Sequence, residues 1–273
     1  MNFINGKAEL SEIGGGKQSK QKSKSKRKEE MSRLGLGLAC CSNPPKLDPC
    51  SGEGHVQKFG GLDSYLTGSP HSNRAILFVS DIFGYEAPVL RKLADKVAAA
   101  RYFVVVPDFF YGDPFDSEDV NRPLPVWVKD HEPDTGFDAV KPVIEALKCK
   151  GASLIGAAGF CWGAKTVCEL AKYKLIQAVV TAHPSSITVD DIDGVNIPIA
   201  ILGAELDTVT PEELIKQFKE VLADKPWVDS YVKIFPNVSH GFTLRYNAED
   251  PEAVKAAKKA HQILLDWFNK HLE

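Results

Sequence analysis

Short apolar runs alternate with stretches of helical periodicity along most of the chain, beginning at about residue 55. Six of the runs are rich in β-branched residues, and they cover 75–79, 102–106, 153–158, 178–180, 199–202 and 231–235. Helical periodicity lies between most of them, over 88–100, 137–147, 164–173, 211–222 and 251–270. Strands that are apolar along their whole length are buried on both faces, which is typical of parallel sheets. The pattern predicts an α/β protein with a mostly parallel, doubly wound sheet flanked by helices, which binds ligands at the carboxyl ends of its strands.

The N-terminal part of the chain lacks this alternation. Residues 1 to about 30 are poor in apolar side chains and rich in Lys, Ser, Gln and Gly, so they cannot bury enough surface to offset the entropy of ordering. Residues 17–28 carry seven basic side chains and no acidic one, which is typical of a solvated tail and, less often, of a nuclear-localisation or nucleic-acid-binding patch. We predict a disordered, basic, low-complexity tail over residues 1–52, one α/β domain over residues 53–273, and no nucleic-acid partner.

The cysteines and the overall composition favour a protein without disulfide bridges or a transmembrane helix. Six cysteines, at positions 40, 41, 50, 149, 161 and 168, form no evenly spaced framework, and a core of this size needs no disulfide bridges. No stretch approaches the about 18 consecutive apolar residues of a transmembrane helix. We therefore expect a monomer or dimer without a membrane partner in a reducing, cytoplasmic compartment, with the nucleus left open by the basic tail.

No metal or cofactor site is predicted. The adjacent Cys40 and Cys41 are candidates for acylation or metal binding, but no histidine or second cysteine pair supports a zinc site. The chain also contains no phosphate-binding loop and no dinucleotide-binding glycine motif.

The most informative motif is the pentapeptide at 159–163, Gly-Phe-Cys-Trp-Gly, which falls between a predicted strand and a predicted helix. A nucleophile flanked in this way by two glycines sits on a sharp, strained turn, where a Cβ on either glycine would collide with the strand and the helix. The helix N-terminus behind Cys161 favours a thiolate. The alternative is a buried structural cysteine between two packing glycines, so a catalytic role depends on finding partners for the sulfur.

An acid follows Cys161 at a suitable place. Asp207 lies in the loop after the strand at 199–202, at the same sheet edge as the cysteine, and suits a carboxylate that orients a histidine. The alternative for Asp207 is an acid that interacts with the dipole of the following helix. Glu205 competes for the same role but lies earlier in the loop.

A histidine completes the order nucleophile, acid, base that is typical of this arrangement. His240 comes directly after the last predicted strand, and Gly241 beside it is expected to leave space around the ring. His183 also follows a strand end, where it lines the pocket or is a hydrogen-bonded structural histidine.

These motifs together resemble the dienelactone hydrolases, a Cys-His-Asp branch of the α/β-hydrolase fold. The resemblance runs from about residue 55 to the end, and its carriers are 80–84 (SDIFG), 107–112 (PDFFYG), 159–163 (GFCWG), 203–207 (GAELD), 240–242 (HGF) and Arg245. It implies that Cys161 is the nucleophile, His240 the general base and Asp207 its orienter. It also implies an oxyanion hole formed by the backbone amides of Ile82 and Trp162, which agrees with the rule that the residue after the nucleophile supplies one donor.

The match to the family is imperfect at Asp81 and, in its spacing from His240, at Arg245. Family enzymes that act on dienelactone commonly carry a glutamate in place of Asp81, next to the cysteine, and that carboxylate holds the thiol neutral until substrate binds. Aspartate is one methylene shorter, and its alternative role is a strand-end acid that accepts hydrogen bonds from loop amides. Arg245 resembles an arginine that binds the substrate carboxylate, with a surface salt bridge as the alternative.

The resemblance implies hydrolysis of a small-molecule ester or lactone through a thioester on Cys161. One alternative is a glycan hydrolase, because some plant relatives in this family carry a cell-wall endo-β-1,3;1,4-glucanase label. Glycoside cleavage normally needs two facing carboxylates about 5–10 Å apart. The strand-end acids form no motif for that reaction; they are Asp81, Asp108, Glu205 and Asp207. A non-catalytic binding module is the other alternative, and the intact set of Cys, Asp and His argues against it.

Overall fold

An eight-stranded sheet forms the centre of residues 38–273, the part of the chain that the computed structural model describes. Its strands are β1 (His55–Phe59), β2 (Leu62–Thr67), β3 (Arg74–Val79), β4 (Phe103–Pro107), β5 (Leu154–Phe160), β6 (Ala178–Ala182), β7 (Ile199–Ala204) and β8 (Ser230–Phe235). They lie side by side in the order β1-β2-β4-β3-β5-β6-β7-β8. β2 pairs antiparallel with β1 and β4, and all other neighbours are parallel. The prediction of an α/β fold with a mostly parallel sheet is confirmed.

The six apolar runs correspond to strands β3 to β8, whereas the hairpin of β1 and β2 is not among the predicted elements. β1 lacks an apolar run because four of its five residues are exposed. Its turn is the pair Gly60-Gly61, with φ values of 58° and 90°. A two-residue hairpin turn requires this left-handed backbone, so the glycine pair is the sequence signal for the hairpin.

Helices cover both faces of the sheet. Those described are α1 (Pro88–Ala98), α2 (Leu124–Asp130), α3 (Thr135–Cys149), α4 (Gly163–Lys172), α5 (Val189–Gly194), α6 (Glu212–Ala223) and α7 (Pro251–His271). Successive residues of β3 face opposite layers, as the two-residue period of a strand requires. Ile76 packs in the core that α1 and α7 cover, and Leu77 packs in the core that α3, α4 and α6 cover. Within residues 38–273 every helix is too short or too polar to span a lipid bilayer.

Residues 38–52, here called the N-terminal segment, pack against the domain although they belong to the predicted tail. The segment begins with a 3₁₀ turn at Leu38–Cys41, and Cys40 is completely buried. Further along, the carbonyl of Pro49 accepts a hydrogen bond of 2.7 Å from the buried guanidinium of Arg91. The domain boundary predicted at residue 53 therefore lies inside the packed part of the chain. The basic run at 17–28, like the disorder predicted for residues 1 to about 30, lies outside the described residues.

Candidate active site

Cys161 directly follows β5 and has the strained backbone of a nucleophile elbow, with a φ of 49°. A Cβ on Gly159 would lie 2.5 Å from the carbonyl oxygen of Gly163 in α4. A Cβ on Gly163 would lie 2.2 Å from the carbonyl oxygen of Val79 in β3. Both flanking glycines are therefore needed for the close approach of strand and helix, as the sequence predicts.

The neighbouring strand end holds Cys161 in place. Its amide donates to the carbonyl of Ala182 at 3.2 Å, and its carbonyl accepts from the amide of Ser185 at 3.1 Å. The sulfur lies 3.6 Å from the hydroxyl oxygen of Ser185. These contacts fix the position of the thiol, which has no exposed surface.

His240 and Asp207 meet beside the sulfur. Nδ1 of His240 donates to Oδ2 of Asp207 at 2.8 Å, since a carboxylate can only accept. The other carboxylate oxygen accepts from the amides of Val209 and Thr210, at 2.8 and 3.2 Å. A ring nitrogen of His240 lies within 4.8 Å of the Cys161 sulfur. The described residues thus bring the three side chains together, with His240 in contact with Asp207 and next to Cys161.

Glu205, the competing acid, points elsewhere. Its Oε2 accepts a hydrogen bond of 2.7 Å from the amide of Asn237, and the side chain is exposed. Asp207 is therefore the loop carboxylate that contacts His240.

Electrostatics favour an ion pair between Cys161 and His240. Burial raises the pKa of the Cys161 thiol, but the contact with Cys40 and the charge of His240 outweigh burial, and the pKa lies well below its usual range. Burial lowers the pKa of His240, but the charge of Cys161 and the hydrogen bond to Asp207 overcome it and raise the pKa to about 9. The hydrogen bond to Cys161, together with burial, raises the pKa of the Cys40 thiol well above its usual value. These shifts describe a Cys161 thiolate beside a His240 imidazolium, with the proton retained on Cys40.

Arg245 is buried beneath the N-terminal segment and does not form the surface salt bridge that the sequence leaves open. Its Nη1 donates to the carbonyls of Cys40 and Ser42, both at 2.7 Å. Its Nε lies 3.1 Å from Oδ2 of Asp81 without the alignment of a hydrogen bond. Asp81 also accepts from the amide of Phe83, as a strand-end acid does. Burial raises the pKa of Asp81 to about 6, although the guanidinium opposes this rise.

Cys40 is the site residue that sequence reasoning does not find. Its sulfur lies 3.7 Å from the sulfur of Cys161 and 3.7 Å from Nε2 of His240. It stands 121 and 200 positions away from these two residues along the chain. The only sequence signal is the Cys40-Cys41 pair, which occurs in a stretch whose composition predicts a tail.

Two residues near His240 had open or different expected roles: His183 has the contacts of the hydrogen-bonded histidine among its two alternatives, and Gly241 differs from its expected role. His183 is completely buried; its Nε2 lies 2.7 Å from the hydroxyl of Thr243, and its ring centroid lies 5.2 Å from that of His240. Burial holds the pKa of His183 well below its usual value, and its ring packs edge-on against the imidazole of His240. Gly241, with a φ of 86°, makes room for the guanidinium of Arg245, which a Cβ would approach to 2.4 Å.

The residues expected to form an oxyanion hole lie at the ends of neighbouring strands. Ile82 follows β3, and Trp162 follows Cys161 at the start of α4. Among the described residues, neither backbone amide donates to a main-chain carbonyl. The Trp162 indole donates to the carbonyl of His131 at 2.9 Å, which ties the elbow to the loop at 108–135.

Comparison with known proteins identifies the family. The model of the dienelactone hydrolase family matches residues 62–272. This chain belongs to the dienelactone hydrolase family. A carboxymethylenebutenolidase homolog from Mus musculus is 31% identical over 226 residues, which are 81% of this chain and 92% of that protein. A dienelactone hydrolase from Anabaena variabilis shares the fold, with a TM-score of 0.60 at 16% identity over 84% of this chain and all of its own.

A plant relative matches more strongly over a shorter stretch. It is an endo-1,3;1,4-beta-D-glucanase from Zea mays, 44% identical over 166 residues, or 61% of this chain. The chain spans about half of that protein's length, 54%. Membership of the dienelactone hydrolase family itself supports an enzyme that acts on esters or lactones.

Proposed function

We propose that this chain hydrolyses small-molecule carboxylic esters or lactones, with Cys161 as nucleophile and a thioester as intermediate. The observation that carries the proposal is the elbow cysteine, at a φ of 49°, beside a histidine that Asp207 holds through a 2.8 Å hydrogen bond. Nucleophile, base and orienting acid in this relation define acyl-transfer sites on unrelated folds.

Acylation follows from the protonation states. The Cys161 thiolate attacks the carbonyl carbon, a C–S bond forms, and the carbonyl oxygen takes the negative charge. As the tetrahedral species collapses, the ester C–O bond breaks and the His240 imidazolium gives its Nε2 proton to the leaving oxygen. Asp207 keeps the ring oriented and stabilises its positive charge. In a lactone the leaving oxygen stays tethered to the acyl group.

The oxyanion would be stabilised by the amides of Ile82 and Trp162. Within residues 38–273 neither amide donates to a main-chain carbonyl, so no such acceptor competes with the developing charge. Loss of one such donor typically costs about 3 kcal/mol of transition-state stabilisation. Deacylation reverses the roles: neutral His240 takes a proton from water, the hydroxide attacks the thioester, and Cys161 leaves as a thiolate.

Substrate would reach the sulfur by displacing the N-terminal segment, because Cys161 has no exposed surface in the structure. The Arg245 guanidinium donates to two carbonyl oxygens of that segment and becomes free to bind a substrate carboxylate when the segment leaves. Asp81 would then sit beside both the arginine and the acyl group. His183 would support His240 without touching the substrate.

The identity to the maize protein favours glycan hydrolysis as a second candidate. The carboxylates at the strand ends argue against it, because each already has a partner. Asp207 binds His240, Asp81 lies against Arg245, Asp108 accepts from loop amides, and Glu205 accepts from Asn237. No described pair of them forms the facing acids that retaining or inverting cleavage requires.

The deciding experiment compares Cys161→Ala with a matched control, Cys168→Ala, another buried cysteine on the same side of the sheet. Cys161→Ala is expected to lose at least ~10³-fold in kcat on p-nitrophenyl acetate, because no nucleophile remains. Cys168→Ala is expected to keep its activity. Mass spectrometry of Asp207→Asn mixed with the ester should find the acetyl group on the peptide that contains Cys161.

Two results would overturn the proposal. The first is full esterase activity in Cys161→Ala. The second is release of sugar from mixed-linkage glucan that survives Cys161→Ala, which would favour the glycan hydrolase.

A further inference from the structure

Three soft-metal ligands meet where the N-terminal segment crosses the catalytic residues. The Cys40 and Cys161 thiols and the His240 imidazole present ligand atoms that all lie within 4.8 Å of one another. The two sulfurs are 3.7 Å apart, and the Cys40 sulfur is 3.7 Å from Nε2 of His240. With Zn–S bonds of about 2.3 Å and Zn–N bonds of about 2.0 Å, a tetrahedral zinc ion requires edges of about 3.8 Å between sulfurs and about 3.5 Å from sulfur to nitrogen. Two of the three edges are within about 0.2 Å of these lengths, and the third, from the Cys161 sulfur to a His240 ring nitrogen, is at most 4.8 Å.

The chemistry of the donor set also suits a thiophilic cation. Two cysteines and one histidine, with a fourth position left for water, form a known zinc coordination set, and soft thiolates discriminate against Mg²⁺ and Ca²⁺. Asp207 binds Nδ1 of His240 at 2.8 Å, so Nε2 remains for the metal and the carboxylate orients the ring from behind. Two thiolates neutralise the charge of a divalent ion, which lowers the cost of keeping it buried.

The backbone fixes the third ligand. Arg245 donates to the carbonyls of Cys40 and Ser42 at 2.7 Å each, and these bonds hold the turn that carries the thiol. Cys40 is completely buried in the site, whereas its neighbour Cys41 is only partly buried. The turn therefore directs one particular cysteine of the pair toward Cys161.

We propose that Cys40, Cys161 and His240 form a binding site for a thiophilic divalent cation such as Zn²⁺. Binding releases the Cys40 thiol proton and the Nε2 proton of the His240 imidazolium, and forms two Zn–S bonds and one Zn–N bond. The site itself does not depend on the catalytic role of Cys161. Only its consequence, that the bound ion blocks hydrolysis, rests on the proposed function.

The test uses the full chain, fully reduced and stripped of metal with a chelator. X-ray absorption at the zinc edge of the protein reloaded with one equivalent of Zn²⁺ should show two sulfurs at about 2.3 Å and one nitrogen at about 2.0 Å. Co²⁺ in place of Zn²⁺ should give thiolate-to-cobalt charge-transfer bands. Cys40→Ser should lose one sulfur from the coordination shell and weaken Zn²⁺ binding at least ~100-fold. Loss of a residue that only hydrogen-bonds to a ligand typically weakens binding about 10–100-fold.

Cys50→Ser is the matched control, since Cys50 lies exposed on the same segment, and it should leave the shell and the affinity unchanged. A single sulfur in the wild-type shell, or equal affinity in Cys40→Ser and wild type, overturns the metal site. Esterase assays of the same samples separate the two proposals. A two-sulfur shell in a protein that hydrolyses no ester when metal-free supports the metal site and contradicts the proposed function. An active esterase without a two-sulfur shell supports the proposed function and contradicts the metal site.

Discussion

The site consists of two layers that differ in how well their polar atoms are satisfied. The catalytic layer comprises Cys161, Asp207 and His240, and both carboxylate oxygens of its aspartate accept hydrogen bonds. The covering layer comprises Cys40, Asp81 and Arg245. Among the described residues, Asp81 Oδ2 and Arg245 Nε face each other as an ion pair at 3.1 Å without the alignment of a hydrogen bond, and Arg245 Nη2 has no hydrogen-bond partner. A buried donor that is left without a partner costs about 1–3 kcal/mol. The catalytic layer is therefore the better satisfied of the two, and in the covering layer only Cys40 belongs to the N-terminal segment, which Arg245 holds through two hydrogen bonds.

The largest effect is expected from breaking the catalytic layer at its orienting acid. Asp207→Asn should lower kcat on p-nitrophenyl acetate by ~10³–10⁴-fold, as for a triad whose histidine loses its tautomer and charge stabilisation. Stopped-flow and steady-state assays measure the loss, and thermal unfolding checks that the fold is intact. Glu205→Gln in the same loop is the control and should retain activity; comparable losses in both variants would contradict the assignment of Asp207.

The pH profile tests the ion pair of the catalytic layer. Because the pKa of Cys161 lies well below its usual range and that of His240 is raised to about 9, the electrostatics favour the thiolate–imidazolium pair over the neutral pair. We expect kcat/KM on a neutral ester to be level between about pH 7 and 8 and to fall about tenfold per unit above pH 9, as the imidazolium loses the proton that it gives to the leaving group. An activity that instead climbs through pH 8.5, as an ordinary thiol ionises, would sink this interpretation.

A smaller effect is expected from removing Cys40 and the turn that carries it from the covering layer. Deletion of residues 1–43 in metal-free enzyme should speed alkylation of Cys161 by iodoacetamide and lower KM several-fold with kcat unchanged, because substrate no longer competes with the segment. Exposed Cys149 is the internal control, and its alkylation rate should stay the same. Equal rates at Cys161 with and without the segment, in a chain that still unfolds cooperatively, would mean that the cover does not limit access.

The catalytic layer can be predicted from the sequence, whereas the covering layer cannot. Cys161, Asp207 and His240 each follow a strand that has a clear apolar run, and parallel strands present their ends at one sheet edge, so their meeting is predictable. The flanking glycines at 159 and 163 are equally predictable because the elbow requires them. The hairpin of β1 and β2 escapes the apolar pattern because most of β1 is exposed, although Gly60-Gly61 signals its turn.

The covering layer depends on contacts that no local pattern encodes. Cys40 approaches residues 121 and 200 positions away, from a segment whose composition predicts a tail. Gly241 differs from its predicted role for a related reason, since the side chain that it accommodates is that of Arg245 and not that of the adjacent histidine. Burial of Arg245 follows from the segment above it and has no signature in the residues around it.

The hydrogen bond from the Trp162 indole to the carbonyl of His131 couples the position of the elbow to the conformation of the segment at 108–135. One end of that bond belongs to the residue whose amide would receive the oxyanion, and the other belongs to the segment at 108–135 between β4 and α3. A redesign of this segment to accept a bulkier acyl group would therefore also shift Trp162 and the elbow. Libraries that keep position 131 and its backbone unchanged should preserve turnover while new substrates are sought.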